Sequence, residues 1–279
     1  MTDRPLTYIV KDQKPLVLRA DKCVRDACDA MWGRRAGSAL VVDENDTLVG
    51  IFTGRDAVRL LANGGEVTAM RLEEAMTRNP VAFNPRASAV DALKAMSTGG
   101  FRHVPVTDDG RIVGVVSRGD FKGMEFEEYR WRLICRAPSP ENRAVADVIA
   151  DREPLTLAPD QAVAQACQAM WSRKRGCVLV ADRRERLKGI FTGRDAVRVV
   201  AQAKNPAATP LRRAMTLNPA TVPPECEAID ALRLMNDGGF RHIPVVENGK
   251  IVGVVSRGDF TGREIDRLDE EEHLTECIW

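Results

Sequence analysis

Four short segments of this chain place a hydroxyl three residues before a carboxylate: Thr53/Asp56, Ser117/Asp120, Thr192/Asp195 and Ser256/Asp259. Two of them read TGRD and two read SRGD, so each also carries a glycine and an arginine. Ser or Thr three residues before an acid, ahead of an apolar run, caps a helix. A cap contributes about 1 kcal/mol, and it leaves the arginine and the glycine unexplained. A helix N-terminus also offers backbone N–H groups and partial positive charge, which suit phosphate. The hydroxyl adds a donor and the arginine a permanent cation. An ionised Asp only accepts hydrogen bonds, so beside an anion its natural client is a pair of hydroxyls, as on a ribose. Together these groups describe a nucleoside phosphate.

The motifs sit inside a nested repeat. GIFTGRDAVR occurs at residues 50–59 and again, letter for letter, at 189–198, an offset of 139. GVVSRGDF at 114–121 returns at 253–260, and GGFRHVPV at 99–106 returns as GGFRHIPV at 238–245. Packing alone tolerates exchange among apolar residues of similar volume, so this identity points to a shared task. The halves hold register from about residue 10 to residue 262. Each half is itself a pair of units, offset by 65 residues at Met31 and Met96 and by 64 at Gly50 and Gly114. The residue lost lies between VDENDTLVG and TDDGRIVG, where a turn tolerates it.

Each unit must build the same elements to present its motif. Val24, Ala27, Cys28 and Met31 recur at helical spacing. So do Ala89, Ala92, Leu93 and Met96, then Val163, Ala166, Cys167 and Met170, then Ala228, Ala231, Leu232 and Met235. A short strand follows (ALVV, HVPV, VLVA or HIPV), then a turn, clearest at DDGR and ENGK, where Asp-Gly and Asn-Gly favour hairpins. A second strand runs into the motif, and a second helix begins there. A unit of about 60 residues buries too little surface to stand alone comfortably, so pairing is expected. CRAPSPENR at 135–143, with two prolines, reads as the linker between halves.

Composition narrows the class. The 279 residues suffice for two ordinary domains, and 44% apolar with 29% charged residues fits a globular protein. With 41 basic and 40 acidic side chains the chain lacks the basic excess of a dedicated nucleic-acid binder. MTDRPLTYIV has no signal-peptide core, and no apolar run nears the roughly 18 residues of a membrane span. We expect a cytoplasmic protein with no membrane contact. Seven cysteines without a C-x-x-C pair fit reduced thiols, and no metal site is expected. Cys28, on an apolar helical stripe, reads as a small buried hydrophobe.

Odd and even units differ. Units two and four carry RHVP and RHIP, whereas units one and three carry GSAL and GCVL, with Leu40 and Leu179 at the proline position. Their lead-in segments also differ, KDQKP and ADREP against MTRNP and MTLNP. The odd sites are therefore expected to be narrower, differently selective or empty. Candidate phosphate contacts are Arg55, Arg102, His103, Arg118, Arg194, Arg241, His242 and Arg257. Read alone, His103 and His242 are equally polar strand residues bonded to backbone. RRAGS and RKRGC add basic clusters after the odd first helices, where cations are expected in any case.

At these residues the chain resembles cystathionine-β-synthase (CBS) domains, which pair into Bateman modules. The shared features are AMT-x-x-P (Ala75–Pro80, Ala214–Pro219), the h-P-V strand (Val104–Val106, Ile243–Val245) and the G-h-h-[ST]-x-x-D ending, over about residues 8–262. The resemblance implies an α/β (α+β) fold of four β-α-β-β-α repeats, at about 8–63, 70–125, 145–203 and 209–262, paired into two modules in a disc-like assembly. It divides the chain into modules 1–137 and 138–279. It also implies that Thr53, Asp56, Ser117, Asp120, Thr192, Asp195, Ser256 and Asp259 hold the ribose and phosphate of an adenine nucleotide. Adenine would lodge between the lead-in segment and the h-P-V strand. The residues concerned are Thr77, Asn79, Val81, Val104 and Pro105 in one module, and Thr216, Asn218, Ala220, Ile243 and Pro244 in the other.

The expected ligand is AMP, ADP or ATP, or another adenosyl compound, with magnesium entering only alongside ATP. No catalytic cofactor is expected, nor an enzyme. Ser117, His103 and Asp120 suggest a hydrolase, but Gly114-Val-Val-Ser117 spaces the nucleophile wrongly for G-x-S-x-G, and units one and three lack histidine altogether. No G-x-x-x-x-G-K-[ST] loop is present. The competing class is a ligand-independent interaction scaffold in which the motifs only cap helices. Residues 263–279 are too few for an effector domain, so a regulatory part acting on a protein partner is expected. The linker is long enough for the two modules to pair within one chain, and the tail leaves further dimerisation open.

Overall fold

The apolar runs after each first helix fold as hairpins. In unit one, β1 (Val17–Arg19) runs parallel to β2 (Ser38–Val42), which pairs antiparallel with β3 (Leu48–Thr53). Unit two contributes β4 (Thr77–Arg78), β5 (His103–Asp108) and β6 (Arg111–Ser117). The second half repeats them as β7 (Thr156–Leu157), β8 (Cys177–Ala181), β9 (Leu187–Thr192), β10 (Thr216–Leu217), β11 (His242–Glu247) and β12 (Lys250–Ser256). The two-residue turns hold Asp109 and Gly110 at φ 46° and 80°, and Asn248 and Gly249 at 50° and 79°. That left-handed pair matches the twist of a tight hairpin, as the DG and NG dipeptides led us to expect. This computed structural model describes residues 4–122, 125, 143–149, 153–260, 264, 265 and 268.

The described helices are α1 (Thr7–Val10), α2 (Val24–Gly33), α3 (Gly54–Asn63), α4 (Leu72–Ala75), α5 (Ala89–Gly99), α6 (Val145–Ile149), α7 (Val163–Ser172), α8 (Gly193–Ala201) and α9 (Ala228–Gly238). All four apolar stripes read from the sequence are buried on α2, α5, α7 and α9. Burial pushes the Cys28 and Cys167 thiols up to about 12, so both behave as small hydrophobes. In the even units the motif itself forms a 3-10 turn, Arg118–Asp120 and Arg257–Asp259. The linker expected around 129–142, Cys135, Cys277 and most of the C-terminal tail lie outside the described residues.

Paired units exchange segments. β4 belongs to unit two by sequence but completes the sheet of unit one, in the order β1-β2-β3-β4, with Thr77 opposite Ile51. Gly50 makes room for this: a Cβ there would stand 2.1 Å from Met76 Sδ. In return, α1 from the head of unit one packs on β6, where a Cβ at Gly114 would meet Val10 at 2.5 Å. The Gln13 side-chain oxygen accepts from the Val115 N–H at 3.1 Å, satisfying a strand edge. β10 on β9, and α6 on β12, repeat the exchange in the second half.

The modules then face one another, odd unit to odd and even to even. One core joins Met31, Phe52 and Leu61 of unit one to Met170, Phe191 and Val200 of unit three. There α3 lies against α7 and α8, and α2 against α8. A second core joins Leu93, Met96 and Phe121 of unit two to Leu232, Met235 and Phe260 of unit four. The result is a disc-like pairing of four units within one chain. Among the described residues no helix is long and apolar enough to cross a membrane.

Candidate functional site

The odd motifs turn β3 into α3 and β9 into α8. Thr53 and Thr192 are the N-caps, each in a reciprocal capping box with its acid. Asp56 Oδ2 accepts from the Thr53 N–H at 2.9 Å and the Thr53 hydroxyl at 2.8 Å. Its Oδ1 accepts from Arg59 and from the Thr77 hydroxyl, both at 3.3 Å. Asp195 repeats the set with Thr192 at 2.9 and 2.9 Å, Arg198 at 2.8 Å and Thr216 at 3.2 Å. Both carboxylates are buried, at 6% and 3% exposure. Burial raises the pKa of Asp195, and hydrogen bonds from Thr192 and the Arg198 charge oppose the rise. Arg198 also lies 5.3 Å from the ring centroid of Trp32 in the other module.

The even motifs end β6 and β12. The Ser117 N–H donates to Asp120 at 2.6 Å, and Ser256 donates to Asp259 at 2.7 Å from both its N–H and its hydroxyl. Asp120 is exposed and Asp259 half-buried. Each turn is held from behind by an arginine. Arg4 donates to the Asp120 carbonyl at 3.0 Å and pairs with the buried Glu125 at 2.7 and 3.0 Å. Arg143 does the same to the Asp259 carbonyl and to Glu264, every contact being 3.1 Å.

The basic candidates converge where the modules meet. His103 lies against Gly37, where a Cβ would stand 2.8 Å from its Nε2, and His242 lies against Gly176 at 2.6 Å. Arg102 reaches across to Gly176, with Nη2 3.8 Å from the Cβ position, and Arg257 crosses to Gly119 at the same distance. Arg55 and Arg194 donate to the Gly100 and Gly239 carbonyls, at 2.7 and 3.4 Å. Burial, then the charges of Arg241, Arg55 and Arg118, pulls Arg102 below the usual guanidinium range, with Asp259 opposing. Burial, then Arg194 and Arg257, does the same to Arg241, with Asp120 opposing. His103 falls to about 3 through burial, then Arg241 and Arg102. His242 falls to about 4 through burial, then the same two arginines. Both imidazoles are therefore neutral at pH 7. An anion arriving here would relieve this mutual repulsion.

The adenine-pocket residues fall into two groups. Thr77 and Thr216 stand at the odd motifs, with Asn79 and Asn218 beyond them at φ 47° and 45°. Val81, Asn79, Asn218 and Ala220 are exposed. Val104, Pro105, Ile243 and Pro244 are buried in β5 and β11, beside the even motifs, where His103 pairs with Ser117 and His242 with Ser256. Segment exchange causes the split, because each lead-in segment serves its neighbour.

Sequence reasoning passed over Arg59 and Arg198, although both lie inside the identical decapeptides, one helical turn after the acid. It also passed over Gln13 and the pair Arg4 and Arg143. Gly37 and Gly176 explain the GS and GC of the odd units: they leave room for the RH histidines next door.

A family model described as CBS domain matches residues 11–63, 72–123, 145–202 and 211–264. Among curated proteins, the chain is 30% identical over 265 residues to the Arabidopsis thaliana CBS domain-containing protein CBSCBSPB3, covering 84% of this chain and 48% of that protein. It is 28% identical over 274 residues to CBSCBSPB1 of the same plant, covering 87% and 50%. The chain thus spans about half the length of these curated relatives. Among solved structures, MJ1225 from Methanocaldococcus jannaschii, put forward as an archaeal homologue of g-AMPK, matches with a TM-score of 0.75. Identity there is 16%, over 95% of this chain and 100% of that one, a likeness of fold.

Proposed function

This chain belongs to the CBS-domain family, and from that premise we propose that it is a regulatory, non-catalytic protein that binds an adenine nucleotide and passes its occupancy to a protein partner. The ribose is held by the [ST]-x-x-D turns, and the phosphate points to the cations between the modules. One observation carries this reading: Arg102, Arg241, His103, His242, Arg118 and Arg257 gather beside the motif turns, where burial, and after it like charges, pulls even Arg102 and Arg241 down. Such a cluster is costly unless an anion joins it. The fold shared with MJ1225, put forward as a homologue of g-AMPK, supports the same class. AMP, ADP, ATP and other adenosyl compounds all carry the required ribose.

The scaffold reading has one observation in its favour, the capping boxes at all four motifs. Thermal denaturation separates the two. A nucleotide at one hundred times its Kd adds about 2.7 kcal/mol of stability. No shift with millimolar AMP, ADP, ATP or S-adenosylmethionine would leave the scaffold standing.

A further inference from the structure

The four motifs are not equally open to a ribose. Asp56 and Asp195 each accept four hydrogen bonds from within the protein, at 2.8–3.3 Å, and both are buried. A carboxylate offers about four lone-pair sites, so neither acid has capacity left for ribose hydroxyls. Two of the donors come from outside the motif. Arg59 and Arg198 pair with the acids and also donate to the Ala75 and Ala214 carbonyls, tying down the lead-in segment. Thr77 and Thr216 add their hydroxyls from that same segment. A ribose entering here would have to displace the arginine and leave it without its buried partner.

The even units lack both parts by residue identity. Six positions after Ser117 and Ser256, where the odd units have arginine, stand Gly123 and Gly262. The lead-in residues aligned with Thr77 and Thr216 are Asp12 and Asp151, and a carboxylate cannot donate to another carboxylate. Asp120 is exposed and Asp259 half-buried, and both lie close enough to the central cations to affect them.

Building on the nucleotide reading above, we propose that the Thr-x-x-Asp motifs of units one and three are closed structural locks keyed by Arg59 and Arg198. The nucleotide sites are the two Ser-x-x-Asp motifs of units two and four, one per module. The TGRD and SRGD spellings therefore divide the labour: one holds the fold, the other the ligand.

Calorimetric titration of the full chain with AMP, and separately with MgATP, tests the assignment. Two nucleotides per chain are expected. Asp120→Asn and Asp259→Asn each remove one site and lower the ligand-free Tm by at most about 2 °C, since each weakens only part of an open cap. Asp56→Asn and Asp195→Asn keep two sites but lower the Tm by about 5 °C, since each weakens a buried ion pair. Arg59→Gln lowers it similarly, and Arg59→Lys restores part of the loss. Four nucleotides per wild-type chain would overturn the proposal, and that measurement needs no variant to fold. So would a folded Asp56→Asn chain that has lost a site. If wild type binds no nucleotide, the two-site assignment falls together with the nucleotide reading. The order of the Tm values, odd variants clearly below even ones, then decides the locks by itself, and equal values overturn them.

Discussion

Gly54 and Gly193 meet face to face across the two modules. A Cβ on Gly54 would stand 3.0 Å from the Gly193 carbonyl oxygen, and one on Gly193 would stand 3.2 Å from that of Gly54. Each is the first residue of its helix, directly after the capping threonine. The glycine of TGRD is thus a matter of close approach rather than of ligand.

Alanine favours a helix over glycine by about 1 kcal/mol, so an unopposed exchange would stabilise. Here the neighbour is backbone and cannot step aside cheaply. The double variant Gly54→Ala/Gly193→Ala should lose about 1–3 kcal/mol in urea denaturation, as overpacked contacts do. Gly33→Ala is the control, since its Cβ would meet nothing within 4 Å. A double variant as stable as wild type would mean that the modules can draw apart at no cost.

The halves share both cores. A protease cut within residues 129–142 should therefore leave them bound to each other in native buffer, with unchanged elution and light-scattering mass. Two separate halves, or a dimer pairing like modules, would contradict pairing within the chain.

Arg102→Gln and Arg241→Gln should move stability and binding in opposite directions. Each removes a cation held among like charges, so the ligand-free Tm should rise. Each also removes a charged donor to phosphate, so AMP affinity should fall by about tenfold to a hundredfold. Tm falling with affinity intact would assign these arginines to the fold alone.

Stability should decline as the pH falls from 6.5 towards 4. The unfolded chain protonates His103 and His242 near the ordinary imidazole pKa, whereas burial holds the folded values at about 3 and about 4. Between those limits the unfolded state binds more protons, so the stability is complete above pH 6.5 and is lost as the pH drops. Two imidazoles give at most about 2.7 kcal/mol per pH unit. Asp195, raised by burial, acts with the opposite sign. The test is accordingly the difference between wild type and His103→Gln/His242→Gln, which should lack this part of the slope.

The Arg143 to Glu264 pair, with side chains 17% and 11% exposed, offers a further check. Arg143→Ala takes the arginine away from a largely buried carboxylate and should cost about 3 kcal/mol. Arg143→Ala with Glu264→Gln should recover part of that in a double-mutant cycle.

Much of this architecture was legible in the sequence. The helical stripes, the hairpin turns and the fourfold repeat depend on local spacing, and each lies where its spacing implies. The site was legible by residue type but not by grouping. Thr77 and Val104 are near each other in sequence and in one unit, yet they serve different motifs because β4 crosses to the neighbouring sheet. No periodicity announces such a crossing. Arg59 was hidden for another reason. On an amphipathic helix an arginine three residues after an acid resembles an ordinary surface pair, and only the burial of Asp56 sets it apart.

The crossing of β4 also determines which piece of this chain can be moved. A transplanted stretch of one unit would carry away a strand that belongs to its neighbour and leave a bare sheet edge behind, an invitation to aggregate. A stretch of one half carries both partners of the exchange, so no strand is parted from its sheet. The two halves repeat in register at 139 residues, while the units within them slip from 65 to 64. Only the larger period copies a complete strand exchange, so the transferable module of this protein is the pair.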